Sequence, residues 1–384
     1  MNMKKPLKNI ILALLSLMVL LFSCQKDSEI LDSTISTNRT ILVYLGVDND
    51  FRAEAAQKIN ILINNWDKSF DGNLFVYADT GKEPVLLHIY YDQQRATADT
   101  IDFSTFENSA NPTTLTEVLN KIKEYRPANS YGMVVLSHGT GWLPAEMSKP
   151  DIVLKSVILD TTTDDNYNYM ELSDFADAIP YKLDFIVFDA CFMASVEVCY
   201  ELKDKAEYIV ASPAEVLVPG FVYSSMMRHL LKKQPDLISV AEDFFQYYNN
   251  QSDFYRSATV SVIKTSQLDD LIPIFKQKTT SYFADETELN EIQTFGYGTQ
   301  KIYFDLGNYL NKIAPENTSE IEQILNQCVI YKANTPYYYS AGTRSINPIQ
   351  DFSGLSIYIQ QEQYPKANQA YRKLRWSEGV GSSE

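Results

Sequence analysis

Among the residues able to act as nucleophile, acid or base, His138 and Cys191 stand apart from the rest. His138 follows the apolar run Met133-Val134-Val135-Leu136-Ser137, and Cys191 follows Phe185-Ile186-Val187-Phe188-Asp189-Ala190. In an open parallel sheet, ligands meet the chain just beyond the carboxyl ends of the strands, so residues that end buried runs are where chemistry is placed. If the two strands are neighbours, imidazole and thiol face one another across one cleft, the minimum set for nucleophilic attack on a carbonyl. Gly139 adds an unhindered backbone amide beside the histidine. Cys191 also opens the segment Met193–Leu202, which reads as a helix whose free amides and dipole would lower a thiol pKa. Each residue alone has a plainer reading, a buried structural thiol or a loop imidazole. It is the pairing at two strand ends that favours catalysis.

The remaining thiols and imidazoles carry less. Cys199 lies beside apolar Val196 and Leu202 on the expected helix, and Cys328 is read in the same way, as core packing. His88 falls inside a strand and His229 beside Leu230 and Leu231, so both read as structural. With no C-x-x-C or H-x-x-x-H spacing, a structural zinc site is not expected.

The elements that must position this pair follow from hydrophobic pattern. Continuous apolar, β-branched runs at Thr40–Val47, Leu74–Ala78, Val85–Tyr91, Gly132–Ser137, Phe185–Phe188 and Tyr208–Ala211 predict strands. Phe51–Trp66, Thr114–Tyr125, Leu172–Ile179 and Met193–Leu202 alternate with them at helical spacing. Such alternation predicts an α/β fold with a mostly parallel central sheet covered by helices on both faces. Beyond about residue 235 the pattern loosens into helices at Ala241–Tyr248 and Leu268–Phe283, a strand at Ala258–Ile263 and a late strand at Gly354–Ile359. The expected organisation is a signal at 1–23, a flexible tether at 24–38, a catalytic domain at 39–250 and a partly helical region at 251–384.

A chain of 384 residues, 45% hydrophobic and 21% charged, buries a sizeable core and is not a disordered tail. Lys plus Arg number 33 against 49 for Asp plus Glu, a net charge of -16. Such a surface repels phosphate backbones, which excludes nucleic acid as the natural partner.

At the amino terminus, Lys4, Lys5 and Lys8 precede the apolar run Ile10–Leu21, and Leu21-Phe22-Ser23-Cys24 closes it. The run is too short to span a bilayer and has the layout of a signal peptide. The arrangement resembles a bacterial lipoprotein signal, with Phe22 bulkier than the usual residue there. That resemblance implies lipidation of Cys24 and a location in the cell envelope, on the periplasmic or surface face of an outer membrane. Cys24-Gln25-Lys26-Asp27 is similar to the surface-export signals of some Bacteroidetes lipoproteins. The alternatives are an ordinary cleaved secretory signal and a buried hydrophobic start, and the abrupt change to Gln25-Lys26-Asp27-Ser28-Glu29 argues against the second. Because residues 1–23 hold three lysines and no acid, the mature chain is more acidic still, and lipid alone would hold it to a membrane.

Taken together, YLGVDND at Tyr44–Asp50, SHGTGW at Ser137–Trp142, DACFMASVEVCYEL at Asp189–Leu202 and GLSIY at Gly354–Tyr358 resemble the clostripain family of cysteine peptidases, in the caspase-like clan. The resemblance implies a caspase-like three-layer sandwich, with Cys191 as nucleophile, His138 as general acid and base, and the amides of Gly139 and Cys191 as oxyanion hole. It also implies that Asp189, two before the nucleophile, binds a basic side chain, giving cleavage of protein or peptide substrates after Arg or Lys. The loop Ser212–Phe221 is similar to the family's pocket-lining loop in its Ser, Glu215 and Pro-Gly, which makes Glu215 a second substrate-binding candidate. Its apolar insert and missing tryptophan depart from the pattern. Family members are often activated by internal cleavage, for which Lys149, followed by Pro150, and Lys155 are the candidates. No cofactor is required, although some relatives need Ca2+. Asp160, Asp164 and Asp165 form an acidic loop that could hold the ion or be a solvated turn. Two rival functions share these residues: a catalytically silent surface binding module, and another amide hydrolase using the same dyad.

Overall fold

In the computed structural model the apolar runs become the strands of one large sheet, and the described residues are 37–81, 83–101, 108–144, 157–163, 166–278, 286–296 and 300–382. Cys24, Lys149, Lys155, Asp164 and Asp165 lie outside them. The strands are β1 (Thr37–Gly46), β2 (Gly72–Asp79), β3 (Val85–Asp92), β4 (Arg95–Ile101), β5 (Ala128–Leu136), β6 (Ile158–Thr163), β7 (Asn166–Met170), β8 (Leu183–Asp189), β9 (Ala206–Ala211), β10 (Thr259–Lys264), β11 (Phe304–Asp305), β12 (Val329–Asn334), β13 (Tyr337–Ser340), β14 (Ser345–Pro348) and β15 (Ser356–Ile357). Nine of them form a sheet in the order β12-β10-β9-β8-β5-β1-β2-β3-β4. Its centre, β9-β8-β5-β1-β2, is parallel, and two antiparallel strands extend it at each edge.

Alternation along β1 builds the two cores. Leu42 and Tyr44 point to one face with Leu115, Val118 and Phe175 of the helices Pro112–Tyr125 and Leu172–Ala178. Ile41, Val43 and Leu45 point to the other, with Ala55 and Leu62 of the helix Arg52–Asn64 and Phe244 of the helix Leu237–Asn249. Burial on both faces is why these strands read as unbroken apolar runs rather than as alternating ones. Local signals agree with the packing: Asn111 accepts a bond from the Thr113 amide at 2.9 Å and Pro112 occupies the first helical position. Buried Arg39 at the start of β1 holds Asp184 of β8 at 2.9–3.0 Å and the carbonyl of Leu230 at 2.9 Å, tying strand to strand and strand to helix.

Residues 251–384 do not stand apart from this sheet, because β10 and β12 belong to it. The late strand is short, β15, and pairs with β11. Where a continuous helix was expected from Leu268, a 3-10 turn over Thr265–Leu271 leads into the helix Ile272–Lys278. The expected helix Met193–Leu202 is in fact Val196–Glu201, because Ser195 caps it by accepting the Val198 amide.

Candidate active site

The sheet order makes β5 and β8 neighbours, with Leu136 opposite Asp189, so the segments that follow leave from the same edge. His138 and Cys191 therefore emerge side by side. Backbone contact fixes how close: a Cβ on Gly139 would lie 2.7 Å from the Cys191 carbonyl oxygen and 3.3 Å from its nitrogen, a gap that only glycine leaves open. The amides of Gly139 and Cys191 are thus brought into one small region. Cys191 is half-buried, with the Val216 amide donating to its sulfur at 3.2 Å and the Val216 carbonyl 3.8 Å away.

The imidazole is held by two residues that the pattern of the sequence did not single out. Its ring stacks on Phe51 at 4.1 Å between centroids, and its Nε2 contacts the carboxylate of Asp50. Both come from the β1 loop and the start of the helix behind it. Asp50 lies within YLGVDND but follows no apolar strand end of its own, so nothing in the pattern tied it to His138.

Cys191 is not at a helix start. The helix begins five residues later, at Val196, and is only six residues long, so its dipole is not aimed at the thiol. What holds the thiol instead is backbone constraint. Phe192 has φ 61°, a left-handed conformation unusual for a bulky residue. Its ring is stacked at 4.9 Å and 12° on Tyr303, whose hydroxyl donates to the Thr140 carbonyl. Gly141, at φ 65°, makes room, since a Cβ there would come within 2.7 Å of the Tyr303 hydroxyl. One buried tyrosine from the late region thereby braces the segments bearing both reactive groups.

Asp189 and Glu215 sit differently from their expected roles. Asp189 lines the pocket beside Cys191 but its side chain is buried and already engaged: one oxygen accepts the Phe221 amide at 3.2 Å and the other lies 3.7 Å from the Lys58 ammonium. Burial raises its pKa, with Lys58 opposing that shift. Glu215 accepts the Ser340 hydroxyl at 3.1 Å and the Ala341 amide at 2.9 Å, and so anchors the turn after β13, outside the residues that line the pocket beside Cys191. Desolvation raises its pKa while these two donors lower it.

Asp160 is buried rather than on a solvated turn, and it meets Asp48 and Asp79 with carboxylate oxygens all within 4.8 Å. Arg52 pairs with Asp48, and the Ser109 amide reaches Asp79 at 2.9 Å and Asp160 at 3.1 Å. Burial first, then the hydrogen bond with Asp160, raises the Asp79 carboxyl above the usual carboxylate range. Three oxygen donors in so small a space are the ligand type that a hard divalent cation takes.

Among the described residues, the other thiols and imidazoles lie in packed surroundings away from the pair. Cys199 and Cys328 are free and buried; burial drives the Cys199 thiol far up and Cys328 to about 12. His88 stacks between Phe75 and Tyr90, and burial, with Arg126 adding to it, lowers it to about 4. His229 bonds Asp243 at 3.1 Å. No helix among the described residues is long and apolar enough to cross a membrane.

Comparison with known proteins agrees with this fold. The sequence profile described as "Clostripain family" matches residues 43–378. Clostripain of Hathewaya histolytica is 24% identical over 217 residues, which is 49% of this chain and 41% of the relative's length. The crystal structure of an inactive zymogen C11 protease from Parabacteroides distasonis superposes with a TM-score of 0.78 at 31% identity, covering 90% of this chain and 99% of the other. A secreted C11 cysteine protease from Bacteroides thetaiotaomicron, solved with an irreversible peptide inhibitor, gives 0.79 at 27% identity with the same coverage.

Proposed function

The chain belongs to the clostripain family of cysteine peptidases, and we propose that it is an endopeptidase working through a Cys191–His138 dyad. The thiolate of Cys191 attacks the scissile carbonyl carbon, forming the S–C bond. The oxyanion is held by the Gly139 and Cys191 amides, donors of a kind worth roughly 3 kcal/mol each in mutational tests. His138 gives its proton to the departing amine as the C–N bond breaks. Water, deprotonated by His138, then releases the acyl group and restores the thiol. Asp50 orients the imidazole during each transfer. To react, a peptide must displace Val216 from the thiol.

The observation that carries this reading is the Gly139–Cys191 backbone contact, which joins the two strand ends into one cleft. It is tested by hydrolysis of fluorogenic peptides by the chain from Gln25, beside Cys191→Ala. Turnover that vanishes in the variant supports it, whereas failure to turn over any peptide favours a silent binding module. Which residue precedes the cut is a separate matter. The basic preference implied by the resemblance needs Asp189 to present its charge to the pocket, and in this fold Lys58 stands against it.

Two further parts of the reading concern the protein's setting. Lipid on Cys24 would hold the enzyme in the cell envelope, its acidic surface contributing nothing to attachment. Cys24→Ala is expected to move the protein from the membrane pellet to the soluble fraction; a variant still in the pellet would remove the anchor. The Asp48, Asp79 and Asp160 carboxylates would hold Ca2+ as a structural ion, offsetting their mutual repulsion. Millimolar Ca2+ should then raise the melting temperature of the wild type and not of Asp160→Asn. Equal melting with and without the ion would leave the three acids held by Arg52 and hydrogen bonds alone.

A further inference from the structure

The floor of the pocket beside Cys191 is already neutralised by the protein itself. Lys58, on the helix Arg52–Asn64, is 3% exposed, and its ammonium stands 3.7 Å from Asp189. It also donates to the Pro219 carbonyl and, at 3.4 Å, to that of Phe221, and lies 4.0 Å from the centre of the Tyr223 ring. Gly220 closes over the carboxylate: a Cβ there would come within 2.1 Å of an Asp189 oxygen. An ammonium held by a carboxylate, two carbonyls and a ring face does not leave readily, because its departure strands a buried charge. An arginine or lysine side chain reaching for Asp189 would meet a fixed positive charge beside it.

The walls above that floor are mainly apolar, formed by Leu136, Val216, Leu217 and Val218. Glu54, one helical turn before Lys58, also lines the pocket, but it is half-exposed, and water screens its charge. We propose that Lys58 determines primary specificity: by compensating Asp189 from within, it makes the pocket select an uncharged, mainly apolar side chain such as Met or Leu before the scissile bond, and disfavour Arg and Lys. The proposal rests on the peptidase reading of Cys191.

The test measures kcat/KM for matched peptides with Met, Leu, Gln, Lys or Arg before the cut. Wild type, Lys58→Met and the double variant Lys58→Met/Asp189→Asn are compared, with active sites counted by a thiol-directed irreversible probe. Wild type should prefer Met or Leu over Arg and Lys by roughly tenfold or more. Lys58→Met, which leaves Asp189 uncompensated, should shift the ratio towards Arg and Lys by about tenfold, and the double variant should return it to the wild-type order. If Lys58→Met does not fold, the wild-type order decides alone. Wild-type cleavage after Arg or Lys at least as fast as after Met overturns the proposal, and loss of such a basic preference in Glu54→Gln would assign it to Glu54. Active sites that react with the probe while no peptide is cleaved overturn the peptidase reading, and this proposal with it.

Discussion

Cys191→Ala is expected to lower kcat/KM for peptide hydrolysis by on the order of 10⁴–10⁶-fold, and His138→Ala by a comparable factor. The reason is that in the proposed dyad both act in one step. Without the thiol no acyl enzyme forms, and without the imidazole the leaving amine departs unprotonated. Groups that work as a unit are strongly non-additive, so the double variant should be no worse than either single one. A tenfold loss on removing His138, or two effects that multiply, would rule out the dyad. Asp50→Asn should cost far less than either, because its carboxylate is largely in water and can only orient the ring. The measurement is steady-state hydrolysis, with far-UV circular dichroism as the check that each variant is folded.

The second large effect is on stability. Trp376, on the helix Arg375–Val380, is fully buried, with its ring edge-on to Tyr200 at 5.3 Å and to Phe275 at 5.2 Å. Trp376→Ala removes the contact that joins three helices and leaves a cavity too well framed to collapse, at a cost of about 3–5 kcal/mol. For a folded body of this size, the usual unfolding entropy per residue turns that into a fall in Tm of roughly 4–7 °C. Trp376→Phe, which keeps most of the volume, should cost much less. A shift of under about 1 °C for the alanine variant would show that the helix Arg375–Val380 adds little to the core.

The parts legible in the sequence were those buried on both faces. β1, β5 and β8 carry uninterrupted apolar residues because helices cover them above and below, and their ends mark His138 and Cys191 without any long-range information. β4, with the sequence RATADTI, was not visible: it is an edge strand with water on part of its surface, so its pattern is broken by polar residues. β12 escaped for the same reason. The pairing of Lys58 with Asp189 was out of reach in a different way, since it joins a helix to a strand end far along the chain. Within its helix, Lys58 looks like any solvated lysine. The burial of Asp160 was equally hidden, because an acid on a short hairpin reads as exposed until the facing loop is known. Ser195 is a local signal of a different kind, a capping residue that moves the helix start away from the thiol.

Tyr303 reaches the reactive segments from a part of the chain that contributes no nucleophile, acid or base. Because its ring supports Phe192 and its hydroxyl holds Thr140, and because β12 completes one edge of the sheet, the enzyme is not modular. A gene shortened to end before codon 300 would still encode both residues of the proposed dyad, yet is expected to encode no active peptidase. Minimal versions sought for engineering must therefore be made by loop trimming, with the chain retained through Trp376.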